Sequence, residues 1–268
     1  EIVFAMPLRK IADPSQYISI AEVIGVPVRI VPDCQINNLM YRPGIAAIRF
    51  EDFLGIPTMA LSTTSPKQGD LLIKGFLDYL FAGIALAVCL PLLLLTGCAI
   101  KLTSKGRIFF TQERCGLNGR RFVFYKFRTM SADAEERRQK VKTLNEADGP
   151  VFKIKKDPRI TPFVGTLLRK FSLDELPQLI NVLKGEMSLV GPRPPIPSEV
   201  KEYDVWQRRR LSMKPGLTCL WQIAPRRNEM SFKEWMDLDL EYIDKWSLGL
   251  DFKIILKTVS VMVSGTGR

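Results

Sequence analysis

The sequence has 268 residues, 39 Lys/Arg against 28 Asp/Glu for a formal net charge of +11, and no histidine. Its length allows one large domain or two modest ones with a sizeable core. The lack of histidine excludes an imidazole general base, a Ser–His–Asp triad and every His-containing zinc site. The five cysteines, Cys34, Cys89, Cys98, Cys115 and Cys219, are scattered without a CxxC pair, which fits a reducing compartment better than a disulfide framework or a metal cluster. Catalysis must therefore rest on carboxylates, Lys, Arg, Tyr, Ser or a bound cation. Residues 1–66 hold five Lys/Arg against six Asp/Glu, so the positive excess lies beyond them. A basic surface suits an anionic partner, whether a membrane, a nucleic acid or a phosphorylated substrate.

In chain order, residues 2–6 read as a buried strand, 14–24 as a helix and 27–31 as a second strand. Strand, helix, strand is a βαβ unit and predicts a parallel pairing. No GxGxxG motif precedes it, so residues 1–60 read as the C-terminal part of a nucleotide-binding-like α/β domain without its phosphate loop. The chain starts at Glu1 directly in a strand-like run, and a missing portion before it is expected. The polar stretch 61–70 reads as a linker.

Residues 79–100 are uncharged and largely apolar, long enough to span a bilayer. Pro91 lies in the middle, where it breaks or kinks a helix. Lys74 precedes the run, and Lys101, Lys105 and Arg107 follow it. Cations at both ends favour two cytoplasmic flanks, hence a segment over 71–106 that enters, bends at Pro91 and returns; an ordinary kinked span remains open on these grounds. Residues 107–111 and 121–127 alternate like strands around Asn118-Gly119, a hairpin signal. Residues 132–141 read as a charged surface helix. Phe163, Val164, Leu167, Leu168 and Phe171 fall on one helical face, which suits either the membrane interface or a core.

The acidic pair Asp174-Glu175 follows. SLDE at 172–175 has the form of a capping box, with Ser172 as N-cap. Pro177 fits better if Asp174 is the cap. In either register both carboxylates lie in a first turn, where free N–H groups draw phosphate and favour an ionised Asp. Aspartate can attack phosphorus to form an acyl phosphate, and an adjacent carboxylate can hold a divalent cation. GPRPP at 191–195 presents Arg193, whose fork suits phosphate, and Lys126 and Arg128 add cationic groups.

These motifs occur together and in order: FFTQER at 109–114 with Gly116, KFRTM at 126–130, DPRIT at 157–161, SLDELPQ at 172–178, NVLKG at 181–185, MSLVGPRP at 187–194, PGLT at 215–218 and YIDKWS at 242–247. Over roughly 70–262 the sequence resembles the bacterial sugar transferases, the monotopic polyprenyl-phosphate glycosyl-1-phosphate transferases. The resemblance implies that Asp174 is the nucleophile on the sugar-bearing phosphate of a UDP-sugar. UMP leaves, and a polyprenyl phosphate takes up the sugar phosphate.

The resemblance further implies that Glu175, with Asp174, is the Mg²⁺ side of the site. Lys126, Arg128, Arg169, Gln178, Arg193, Pro194 and Arg226 form the candidate substrate- and phosphate-binding set. It makes the Pro91 segment a re-entrant membrane helix, although Leu90 stands where the family often has Ser. The expected fold is an α/β fragment (parallel βαβ) followed by a mostly α-helical α+β catalytic domain over 107–268, with one re-entrant membrane helix and a short hairpin. UDP-galactose is the favoured donor and UDP-glucose the next. Membrane lipids are expected partners, and the partner set admits a homodimer. The expected location is the bacterial inner membrane, with the catalytic domain facing the cytoplasm.

Two rival readings remain. A non-catalytic membrane-anchored scaffold for polysaccharide assembly would suit the α/β remnant. A nucleic-acid binder would use the basic runs 208–210 and 226–227 beside Trp206 and Trp221, but has no use for the apolar segment, so no nucleic acid is expected.

Overall fold

The computed structural model describes all residues except 5–9, 32–46, 54–55, 63–67, 132, 139–140, 147, 153, 155–156, 226, 228 and 266–268. The N-terminal lobe opens with β1 (Ile2–Phe4), α1 (Pro14–Ile24) and β2 (Val28–Ile30). Asp13 caps α1 by accepting from the Gln16 N–H, Pro14 occupies its first turn, and Gly25 closes it at φ 74°. β1 and β2 pair in parallel, as the βαβ reading expects.

The sheet is nonetheless mixed. β3 (Ala47–Phe53) and β4 (Ile56–Ser62) form an antiparallel hairpin, and β4 adds antiparallel to β2, giving the order β1-β2-β4-β3. These two strands escaped the sequence reading because β3 turns its apolar side outward: Ile48 is exposed, and Phe50 is 79% exposed. β4 also runs into the stretch read as linker. Ile18, Ala21, Val28, Ile30, Met59 and Leu61 close the lobe's core.

α2 (Gln68–Thr103) is one helix of 36 residues, about 54 Å long. Pro91 lies inside it, and the assigned helix continues through, where a helix–break–helix was expected. Proline there forfeits one backbone hydrogen bond. The helix is long and apolar enough to cross a membrane. Both of its halves pack against the part of the chain that follows. Ala82 joins Phe122, Phe124, Leu179, Val182 and Met187 in one core, while Ile100 joins Phe127 and Leu168 in another. Lys74 is buried and ion-paired, not presented to lipid as a flanking cation.

β5 (Phe109–Cys115) and β6 (Arg121–Phe127) form the expected hairpin, with Asn118 (φ 55°) and Gly119 (φ 74°) at its turn. Residues 132–141 are not the expected helix: the described part holds a 3-10 turn at Glu136–Arg138. Their run of charges offers no apolar stripe to bury, and isolated short helices are marginal in water.

Next come α3 (Val164–Lys170), a 3-10 turn at Leu173–Gln178, α4 (Leu179–Leu183), β7 (Ser188–Val190) and α5 (Pro197–Lys201). A 3-10 turn at Trp206–Ser212, β8 (Gly216–Thr218), α6 (Phe232–Asp244) and α7 (Leu248–Val263) complete the chain. β7 and β8 pair in parallel. Around them Tyr242, Ile243 and Ile254 pack on Val190 and Met213, while Trp221 stacks on Trp235 at 4.9 Å between ring centroids.

Gly191 and Gly216 meet backbone to backbone. A Cβ on Gly216 would lie 2.0 Å from the Gly191 nitrogen, and one on Gly191 would lie 2.3 Å from the Lys214 carbonyl oxygen. Backbone cannot yield as a flexible side chain does. Gly216→Ala is expected to cost about 2 kcal/mol or more through overpacking, a fall in thermal midpoint of roughly 4–8 °C. A thermal melt in detergent checks it.

Candidate active site

The site forms where the 3-10 turn at Leu173–Gln178 lies against β6. Ser172 enters the turn at φ 54° with no side-chain capping bond, so neither the capping box nor an Asp174 cap is realised. Pro177 favours the tighter turn, which needs fewer of the N–H groups proline lacks. The turn precedes the five-residue α4, so no long helix presents its N-terminus to a phosphate here.

Asn181 fastens this segment. It is fully buried; its amide donates to the Val123 carbonyl at 2.7 Å and accepts from the Tyr125 N–H at 3.2 Å. It thus serves the free edge of β6 as a neighbouring strand would. Glu186 holds the same amide at 2.7 Å.

Asp174 is 2% exposed. Its Oδ2 lies 2.8 Å from Lys126 Nζ, an ion pair without good hydrogen-bond alignment at that oxygen. Lys126 also reaches Glu175 Oε1 at 3.2 Å. Burial pushes the Asp174 carboxyl above the ordinary carboxylate range; Lys126 pulls it back, and Glu175 pushes it up again. Burial, and no helix terminus, is therefore the leading influence on its ionisation.

Four cations act on this pair. Lys126 touches both carboxylates. Arg169, on α3, donates from Nε to Thr129 Oγ1 at 2.9 Å. Burial lowers its pKa, and Asp174, Asp157 and Glu175 all favour its charge. Arg227, whose Nη1 donates to the Gln222 carbonyl at 2.8 Å, is lowered by burial and favoured by Glu175.

Arg114 is the fourth. Burial, helped by Arg193 and opposed by Glu199 and Glu175, lowers it to about 9. It remains charged at neutral pH. Its Nη1 donates to the Pro194 carbonyl at 2.9 Å, its Nη2 to Gln112 Oε1 at 2.7 Å, and it sits over the Phe124 ring at 5.2 Å.

The candidates from sequence thus separate. Asp174, Glu175, Lys126 and Arg169 come together. Arg193 stands on the loop after β7, close enough to oppose the charge of Arg114 and favour that of Asp239. Pro194 is the acceptor for Arg114, and Gln178 is buried beside Asp174 in the same turn. Arg128 turns away: it donates to the carbonyls of Lys105 and Ser104, each at 2.9 Å, and so ties β6 to the end of α2. Arg226 lies outside the described residues.

Sequence reasoning did not single out Arg114 as a site residue, and it read Arg227 only as part of the basic run 226–227. Strand parity holds the signal for Arg114: the register pairs Phe110 with Lys126, Gln112 with Phe124 and Arg114 with Phe122, so Arg114 shares the Lys126 face.

Of the basic run 208–210, Arg208 is exposed and the other two turn inward. Arg209 is buried and paired with Asp244, and Arg210 is buried 2.7 Å from Asp239. Burial raises Asp239 to about 6, with Arg210 and Arg193 pulling it down. Trp221 is likewise buried.

The arrangement is a buried carboxylate with a cation beside it and further guanidiniums around, surroundings suited to an anionic ligand. The sequence pattern of the bacterial sugar transferase family matches residues 69–265, and the chain belongs to that family. It is 45% identical over 246 residues to galactosyl transferase CpsE of Streptococcus agalactiae, across 89% of this chain and 54% of that protein. It is 40% identical to the exopolysaccharide production protein ExoY of Rhizobium meliloti, across 72% of this chain and 87% of that protein. It is 35% identical to the UDP-glucose:undecaprenyl-phosphate glucose-1-phosphate transferase of Escherichia coli, across 87% and 48%. The chain thus spans about half the length of CpsE and of the Escherichia coli enzyme.

Lys126→Met removes the only cation that touches both carboxylates among the described residues. An Asp must be ionised to attack, and losing Lys126 raises the Asp174 pKa further. Turnover is expected to fall at pH 7 by about tenfold or more, with the acid limb of the rate profile moving to higher pH. A pH–rate profile of the variant beside wild type tests both.

Proposed function

We propose that this chain transfers a hexose 1-phosphate from a UDP-sugar to a polyprenyl phosphate through a covalent aspartyl intermediate. The observation that carries the reading is Asp174, buried, ion-paired to Lys126 and favoured by Arg169, with Arg114 and Arg227 acting on the adjacent Glu175. A non-catalytic scaffold has no need of a buried carboxylate in such surroundings.

In the first step an Asp174 carboxylate oxygen attacks the sugar-bearing phosphorus. The phosphoanhydride bond breaks, UMP leaves with its electron pair, and an acyl phosphate remains. In the second step an oxygen of the polyprenyl phosphate attacks the same phosphorus, Asp174 leaves as carboxylate, and the polyprenyl diphosphate sugar is released. Lys126 neutralises Asp174 at rest and the phosphoryl oxygens in passage. Arg114, Arg169, Arg193 and Arg227 hold the diphosphate, where desolvated cations act most strongly.

Asp174 and Glu175 offer the hard oxygens that Mg²⁺ prefers. No group of three or more metal-binding side chains gathers among the described residues, so the pair fits an ion completed by substrate phosphates, a usual Mg²⁺ arrangement. When bound, the ion would neutralise charge on the diphosphate.

The names of the relatives favour UDP-galactose, with UDP-glucose next. We assign residues 1–60 to an accessory lobe, 71–106 to the membrane segment and 107–268 to the catalytic domain. We read α2 as re-entrant in the bilayer, bending at Pro91, where one backbone hydrogen bond is missing, with both ends on the cytoplasmic side of the bacterial inner membrane; the packing of both halves on one domain and the cations that follow at Lys101, Lys105 and Arg107 support this.

Purified protein mixed with UDP-galactose and Mg²⁺, without lipid, is expected to release up to one equivalent of UMP and to gain a sugar-phosphate adduct. Mass spectrometry locates that adduct, and Asp174→Asn abolishes it; an adduct at full yield in the variant refutes the nucleophile. A panel of UDP-sugars in the same assay names the donor. For the topology, Gly69→Cys and Leu102→Cys, in a background without other cysteines, are expected to be labelled from the same face of a vesicle. Labelling from opposite faces rules out a re-entrant helix.

A further inference from the structure

The foot of α2 is wired by side chains to the strand that leads into Arg193. Lys74 Nζ donates to the Val190 carbonyl at 3.0 Å and pairs with Asp251 Oδ2 at 2.5 Å. One turn on, Asp78 Oδ1 accepts from the Leu189 N–H at 3.0 Å. Tyr242, on α6, contacts the same Val190 carbonyl at 3.0 Å and donates to Asp251 Oδ1 at 2.7 Å, while Trp246 Nε1 donates to Asp251 Oδ2 at 3.2 Å. All of Lys74, Asp78, Tyr242 and Asp251 are buried.

We propose that Lys74, Asp251 and Tyr242 are positioning residues for the transfer reaction, fixing the Arg193 loop in register with the membrane helix. The inference rests on the transferase reading of Asp174. Its basis is where the network sits. Val190 is followed directly by Gly191-Pro192-Arg193. The backbone around Arg193 is held at Gly191, whose N–H donates to the Thr218 carbonyl at 3.0 Å, and at Pro192, whose carbonyl accepts from the Gly216 N–H at 2.9 Å. Beyond Arg193, Arg114 grips Pro194.

The loop is therefore gripped from both sides. On the side of Val190 the grip comes from α2, α6 and α7 together. Burial, with Asp251 beside it, pushes the Tyr242 hydroxyl well above its ordinary value, so its proton stays in place to be donated. Stability alone does not call for such a network, because a buried ion pair is often matched or bettered by apolar residues of similar volume.

That comparison supplies the test. Three proteins are compared in nanodiscs with UDP-galactose and polyprenyl phosphate: wild type, Tyr242→Phe and the double variant Lys74→Met/Asp251→Leu. A positioning role predicts kcat lowered about fivefold or more in both variants, KM for the UDP-sugar within twofold, and a thermal midpoint close to wild type. A merely structural role predicts that the double variant regains both its thermal midpoint and full kcat, which overturns the proposal.

If the double variant does not fold, Tyr242→Phe decides, since it deletes one hydroxyl without changing the packing volume. Wild-type kcat in Tyr242→Phe overturns the proposal. Combining Tyr242→Phe with Arg193→Lys adds a second measure. Less than additive losses are expected if the tyrosine acts through the Arg193 loop, and fully additive losses overturn that route. Wild-type protein that releases no UMP from any UDP-sugar refutes the transferase reading itself, an outcome distinct from active wild type with an equally active Tyr242→Phe.

Discussion

A carboxylate taken out of water is costly unless a cation goes with it, and the catalytic domain is arranged around that constraint at Asp174. The cation is Lys126 on β6, so the turn carrying Asp174 must lie on β6 and nowhere else. Asn181 enforces this by filling the hydrogen bonds of the β6 edge. Phe122 and Phe124, on the same face of β6 as Lys126, close the apolar wall behind it with Leu179 and Val182. The hairpin, the 3-10 turn and α4 thus form one unit whose geometry is set by a single buried pair.

The second layer follows from the first. With two carboxylates in contact, one lysine leaves a surplus of negative charge, and Arg169, Arg114 and Arg227 answer it from three separate segments. Arg193 then sits beyond Arg114, anchored through the β7–β8 ladder and the close contact of Gly191 with Gly216. Asp239 and Arg210 lie behind that loop. Arg210 belongs to the 3-10 turn at Trp206–Ser212, the surface on which the N-terminal lobe rests: Gly25 at the end of α1 approaches Ser212 and Arg209 closely enough that a Cβ would meet them at about 3 Å. The lobe is thereby in contact with the supports of the site.

Local signals were legible where local rules decide. The helix read at 14–24 is α1 with those bounds, and Asn118-Gly119 placed the hairpin. Residue chemistry and ordered motifs pointed to Asp174, Glu175, Lys126 and Arg169, and the fold brings these four together. What escaped was set by tertiary context. Phe50 looks like a core residue yet faces outward, so β3 was not read. The residues at 132–141 have helical composition but no apolar stripe. Lys74 reads as a membrane flank in sequence, and only the fold shows Asp251 waiting for it 177 positions away. The capping box at Ser172 is a pattern that Pro177 and the pull of Lys126 on Glu175 override.

α2 belongs to two environments at once. Most of its apolar surface lies open, yet Ala82 and Ile100 complete separate cores of the catalytic domain, and Lys74 neutralises Asp251. Dissecting the protein at Thr103 to obtain a water-soluble catalytic fragment would therefore uncover Phe122, Phe124, Phe127 and Leu168 and strand a buried aspartate. The long apolar helix is a structural member of the domain that follows it.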